Sequence, residues 1–247
     1  VAQVAFHVDG EYVGADAEGS DGYAASWSTE AVGNGPHTVV ARAFDAAGNV
    51  ADAERAVLVQ NPGNAAWDAV LGVPACVTPG ALCASGGLLE GRGPVGPEQN
   101  APNTFQGLCT DGAAGIYRLD ESIEAIEVRS AGADLAEGVI VNVSVKVWAY
   151  PDFANDRVDL YFATDAGAPA WQYVSTAELA GPGEQWARFT YRLPAFPGEA
   201  KSTLQAVRAI VRYGGVPAEC TSGLYDDHDD LAFGVKHGTP DLTLPLV

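Results

Sequence analysis

The run Asp226-Asp227-His228-Asp229-Asp230 sets four carboxylates within five positions, directly before an apolar strand pattern. Charges that close repel one another unless a cation, an arginine or water separates them. Calcium suits such a group, because it takes about six to eight oxygens from carboxylates and loop carbonyls. Asp230 is the first candidate ligand, followed by Asp229, Asp227 and Asp226. Asp120 and Glu121 could join them from the opposite end of the same domain if Cys109 bonds to Cys220. The competing reading is a solvated acidic turn that binds nothing. An EF-hand is excluded, since its loop spacing and glycine are missing.

Other side chains suit ligand binding. Trp148, Tyr150, Trp171 and Tyr173, with Trp186 nearby, fall on or beside strand patterns. Exposed rings there could stack on the flat faces of sugars, whereas buried ones would cover a sandwich core and its rims. Catalytic residues are not expected. The histidines are His7, His37, His228 and His237. His228 sits among carboxylates, which should favour its protonated form and make it a poor general base near neutral pH. No HExxH, GxSxG or phosphate-loop motif occurs, and Ser85 lacks the strand, elbow and helix that expose a nucleophile. Acidic pairs are numerous, yet spacing marks none of them as the two carboxylates of a glycosidase.

The elements that must position these groups are strands. Val139, Val141, Val143, Val145 and Val147 occupy one face of a period-two pattern, with Asn142, Ser144 and Lys146 on the other. Similar alternation marks Val158–Phe162, Phe189–Leu193, Val207–Tyr213 and Leu231–Val235. Upstream, Val4–Val8 turns at Asp9-Gly10 into Tyr12-Val13, Tyr23–Ser28 reads as a strand with Trp27 in the core, and Gly33-Asn34-Gly35-Pro36 is a turn signal. Thr38–Asp45 and Ala53–Val59 complete that set, and Asn61-Pro62-Gly63-Asn64 reads as a linker. Between Ala65 and Pro102 the pattern weakens into a long, irregular, disulfide-pinned excursion that could hold one strand. No amphipathic helix pattern longer than two turns is found. The expectation is all-β: two tandem β-sandwiches, over residues 1–61 and 65–237, then an extended tail over 238–247.

Composition narrows the partners. The 247 residues carry 32 acidic and 13 basic side chains, a formal charge of -19, with 47% hydrophobic residues. That charge argues against nucleic acid and against an anionic membrane surface, and it leaves carboxylates for a hard cation. A saline habitat would give the same acidity. No apolar run approaches the roughly 20 residues of a membrane span, so no membrane insertion is expected. Met is absent and the chain opens on a strand pattern, which suggests a trimmed or mature piece of something longer. Four cysteines suit two disulfides in an oxidising compartment. Cys76 and Cys83 enclose a short loop and are expected to pair, leaving Cys109 for Cys220. Zinc is the weaker alternative, because the C-x2-C spacing and a neighbouring histidine are both missing.

Two stretches resemble known modules. Val4-Ala5-Phe6-His7-Val8-Asp9-Gly10, Tyr23 with Trp27, Asn34-Gly35-Pro36-His37-Thr38 and Ala41–Asn49 resemble the bacterial immunoglobulin-like domains of secreted hydrolases and adhesins. Within the last segment, Gly48 and Asn49 suit positive φ angles and Asp45 can cap the turn amides. The first strands usual in that family are missing: either the sequence starts inside the domain, or another segment completes the sheet by strand addition, which could drive self-assembly. Cys109-Thr110-Asp111-Gly112, Asp120-Glu121-Ser122, Asp159-Leu160-Tyr161, Leu204–Arg208, Arg212-Tyr213-Gly214-Gly215, Cys220 and Tyr225–Leu231 resemble a jelly-roll module at the C-termini of secreted bacterial peptidases. More broadly, the acidic pair entering the last strand is similar to galactose-binding-like sandwiches, where structural calcium is often bound. The resemblance implies a secreted or cell-surface, non-catalytic accessory region that holds a hydrolase on a polysaccharide, a protein substrate or a cell surface. A carbohydrate-binding module and a structural surface or filament protein are the alternatives.

Overall fold

The computed structural model describes residues 1–29, 32, 35–59, 61 and 63–237. Gly33 and Asn34 of the expected turn, Pro62 of the expected linker, and the 238–247 tail lie outside the described residues. The protein is all-β, with sandwich architecture, and divides into Val1–Asn61 and Pro62–Val247.

The first unit is one antiparallel sheet in the order β2-β1-β3-β4, from β1 (Gln3–Val8), β2 (Glu11–Asp16), β3 (Gly35–Phe44) and β4 (Val50–Val59). Asp9 (φ 49) and Gly10 (φ 89) make the two-residue turn between β1 and β2, where both central residues need positive φ. At the β3–β4 turn Asp45 works as the sequence implies. Its Oδ1 accepts the amides of Ala47 and Asn49, each at 2.8 Å, while Gly48 takes φ 85. Residues 23–28, expected as a strand, form none. Trp27 is only half-buried, edge-on to His37 at 6.2 Å. In that segment Asp16 accepts the Ala24 amide at 2.9 Å.

The second unit is a two-sheet sandwich. One sheet has the order β11-β10-β13-β14-β6-β5, from β11 (Gln172–Glu178), β10 (Asp156–Ala163), β13 (Leu204–Tyr213), β14 (Asp227–Gly234), β6 (Val73–Cys76) and β5 (Ala66–Asp68). The other has the order β12-β9-β8-β7, from β12 (Gly183–Arg192), β9 (Ile140–Ala149), β8 (Ser122–Ser130) and β7 (Leu82–Ala84). The 65–102 excursion thus contributes three short strands rather than one. Its pieces are too short to show a period, and the Cys76–Cys83 disulfide pins them.

The inner faces meet as period two requires. Val141, Val143, Val145 and Val147 of β9 are fully buried against Val158 and Leu160 of β10, Val207 and Val211 of β13, and Leu231 and Phe233 of β14. Each such side chain contributes about 1.5–3 kcal/mol on burial. An Asp at position 145 would place an unpaired charge there and break the layer. The outer face of the larger sheet is covered too, by Phe105 and Trp171, in a smaller cluster with Ala206 and Ala232. Because both faces of β13 and β14 are dry, every charged group on them needs a partner.

Candidate metal centre

Strand β14 begins at Asp227, so the acidic run is strand rather than turn. Period two therefore splits it between two faces. Asp227 and Asp229 point the same way as Leu231 and Phe233, into the end of the sandwich. His228 and Asp230 point outward.

The inward pair meets two carboxylates from the irregular segment between β7 and β8. Glu98, Asp111 and Asp227 each bring an oxygen within 4.8 Å of the others. Asp227 and Asp229 are each 1% exposed and the Asp111 side chain is 0% exposed, while Glu98 is half-buried. The cluster is held by backbone donors. The Ile123 amide of the facing sheet donates to Asp227 at 2.6 Å, the His228 amide to Asp111 at 3.0 Å, and the Gly93 amide to Glu98. Asn103 also donates to Glu98 through Nδ2. Gly93 cannot be replaced, since a Cβ there would lie 2.7 Å from Asp111 Oδ2 and its φ is +34.

The electrostatics are unfavourable for the bare protein. Burial, reinforced by the charge of Asp227, pushes Glu98 up to about 7. Burial and the charge of Glu98 push Asp111 to about 7. Burial and neighbouring carboxylates hold Asp227 and Asp229 well above the usual range. The nearby cation is Arg92, fully buried and within reach of Asp111 and Asp227. Several acceptors have no donor: Asp111 Oδ2, Asp229 Oδ1 and Asn103 Oδ1. An anionic group with unspent oxygen acceptors is the donor set of a hard cation. Glu98, Asp111 and Asp227, whose oxygens converge, could hold calcium, with the charge of Asp229 beside them.

The other expected ligands are elsewhere. Asp230, the first candidate, faces the opposite side. Arg208 donates to both its oxygens at 2.7 Å and the Phe105 amide adds a bond at 2.9 Å, so its acceptors are taken. Asp226 caps a turn, accepting the Gly223 amide at 2.8 Å and the Tyr213 amide at 3.3 Å. Asp120 accepts the Ile116 amide at 2.7 Å. Glu121 is buried beside Arg92 and Asp156, apart from the calcium-fitting group. Asp156 and Glu121 form a second acidic pair: burial and Glu121 push Asp156 up to about 8. His228 is not the protonated residue expected, because burial lowers it to about 4 and outweighs the carboxylates beside it.

Cys109 bonds to Cys220, with Cα atoms 5.6 Å apart, and this brings the Asp111 segment to β14. The expected aromatics divide. Trp171 is packed, with the Arg208 guanidinium 4.4 Å above its ring and Phe105 at 5.8 Å. Tyr173 is exposed, edge-on to Tyr161 at 5.4 Å. Trp148 is half-buried on β9. Tyr150 lines an open cleft of about 330 Å³ with Asp120, Glu121, Tyr213 and Tyr225. Ser85 is 2% exposed and its Oγ accepts the Ile126 amide, a structural bond.

No family model matches the chain, and no curated protein matches it. Among solved structures it is similar to the C-terminal domain of wzt, with a TM-score of 0.37 and 14% identity over 52% of this chain and 84% of that one. A tetra-tandem repeat from the extending region of a large adhesion protein gives a TM-score of 0.24 and 15% identity, over 95% of this chain and 66% of that one. The Bacteroides ovatus mixed-linkage glucan utilization locus SGBP-B, in complex with a mixed-linkage heptasaccharide, gives 0.20 and 11%, over 96% and 60%. At these TM-scores the likenesses decide nothing about ligand or role.

Proposed function

We propose that the chain is a non-catalytic attachment module of an extracellular protein, with a structural calcium ion holding one end of its second unit together. The observation that carries this is the buried group Glu98, Asp111, Asp227 and Asp229, whose charge exceeds what Arg92 can balance. Two disulfides support an oxidising compartment. The burial of three of these carboxylates supports a structural role. The resemblance to modules of secreted peptidases makes a hydrolase the favoured parent. No helix among the described residues is long and apolar enough to cross a membrane.

Thermal melting with calcium and with chelator tests the ion. A ligand specific to the folded state must raise stability, so the melting temperature rises with calcium, and an unchanged value removes the site. Co-sedimentation with insoluble polysaccharide, protein fibres and bacterial cells tests attachment. Retention on one of them is expected, and retention on none defeats the reading.

One observation favours a second reading. The sheet of the first unit ends on β2 and β4, each hydrogen-bonded to one neighbour among the described strands, and β4 is mostly exposed. Such edges suit strand addition from another copy. Sedimentation equilibrium decides, and a strict monomer at high concentration ends that idea.

A further inference from the structure

The open cleft is chemically unlike the metal centre. Tyr150, Tyr213 and Tyr225 are 37%, 45% and 38% exposed, and Tyr213 and Tyr225 meet edge-on at 6.3 Å. The two other lining residues are carboxylates, Asp120 and Glu121. Glu121 is 2% exposed and its Oε2 has no hydrogen-bond donor, although the Arg92 guanidinium is 3.9 Å away. Behind it Asp156 is buried, and burial together with its hydrogen bond to Glu121 pushes it up to about 8. Among the described residues the lining therefore offers π faces and acceptors, with the nearest cation, Arg92, buried behind Glu121.

A ligand that matches must bring positive charge and hydrogen-bond donors on a body that can lie against aromatic rings. Protonated amines and guanidinium groups do this, and tyrosine rings attract them through the ring quadrupole. A neutral sugar would stack on the rings but would bring no charge to Asp120, which meets only the Ile116 amide among the described residues. The neighbouring surface argues in the same direction. Leu119 beside Asp120 and Leu224 beside Tyr225 are exposed, as are Ile116 and Val216. Aliphatic side chains around an acidic, aromatic pocket suit a polypeptide better than a glycan. The overall charge of -19 would also draw in a basic segment.

We propose that the cleft of Tyr150, Tyr213, Tyr225, Asp120 and Glu121 seats a lysine or arginine side chain of a partner polypeptide. This rests on the attachment reading and names the chemistry of what is held. The test uses the full chain in calcium, with tyrosine ring resonances as the readout. The probes are the blocked peptide acetyl-Ala-Leu-Lys-Leu-Ala-amide, the same peptide acetylated on its lysine, and a β-glucan hexasaccharide. The lysine peptide should shift the rings saturably. Tyr225→Ala and Glu121→Gln should each weaken it by about tenfold, and acetylation of the lysine should abolish it. Absence of saturation, equal binding of the acetylated peptide, or binding of the hexasaccharide alone each overturns the proposal. Tyr225→Ala guards against misfolding of the buried Glu121 variant. The calcium-dependent melting of the same samples reports the metal proposal separately, so either can fail alone.

Discussion

Two groups of carboxylates occupy opposite faces of one sheet, and they are neutralised in different ways. On the outer face Asp230 is gripped by Arg208 and Asp159 by Arg212, whose Nε lies 2.6 Å from Asp159 Oδ2. Trp171 closes over Arg208. On the inner face Asp227 and Asp229 meet Glu98 and Asp111, with Arg92 the cation near them among the described residues. The first group is complete within the chain. The second is complete only when protons or a cation arrive. Adjacent residues of a single strand thus follow separate electrostatic logics, because alternate side chains face different surroundings.

The contrast can be broken most severely from the outer face. Arg208→Ala leaves Asp230 buried without its cation and should cost about 3–5 kcal/mol in urea unfolding, with or without calcium. Asp227→Asn should behave in the opposite sense. In chelator it relieves repulsion and leaves stability unchanged or higher, while the stabilisation by calcium is lost. For the parent chain that stabilisation is about 2.7 kcal/mol at a hundredfold excess over Kd. If Asp227→Asn destabilises equally in chelator and in calcium, the two faces do not differ in the way described.

The dependence on pH sharpens the comparison. In the calcium-free protein Glu98 and Asp111 sit at about 7, above their ordinary values of 4.5 and 3.8. Groups raised on folding contribute stability that is full below the unfolded value and is lost as pH climbs through the folded one. Calcium-free stability should therefore fall between about pH 4 and pH 7, and saturating calcium should remove that fall. Chemical unfolding across this range reads both. The smallest effect is a control in the first unit. Arg42 and Asp52 pair at 2.8 Å in the open, so Arg42→Ala should leave the unfolding midpoint where it was.

Most strands are legible in the sequence, because burial on one face writes a period of two. Val141 to Val147 shows this directly. The metal centre is only half legible. The acidic run is conspicuous, yet reading it as a segment preceding the strand ranks Asp230 first. Carrying the alternation of Leu231 and Phe233 back four residues would have paired Asp227 with Asp229 and set Asp230 apart. Asp111 has a weak signal, standing two residues after Cys109. Glu98 has none, since it comes from a stretch with no period, placed by hydrogen bonds to Gly93 and Asn103. Arg208 and Arg212 occupy the opposite face of β13 from Val207 and Val211, but a sequence cannot show which acid each will meet.

The bond between Cys109 and Cys220 makes assembly of the inner group conditional on redox state. Asp111 lies two residues beyond Cys109, and its carboxylate accepts the His228 amide of β14. Without the disulfide the segment keeps hydrogen bonds such as Gly112 amide to Asp226 carbonyl at 2.7 Å but loses its covalent tether. On the calcium reading proposed above, the inner group should therefore close fully only once that bond has formed. Calcium titration of the reduced and alkylated protein reads this ordering, and an affinity equal to that of the oxidised form would contradict it.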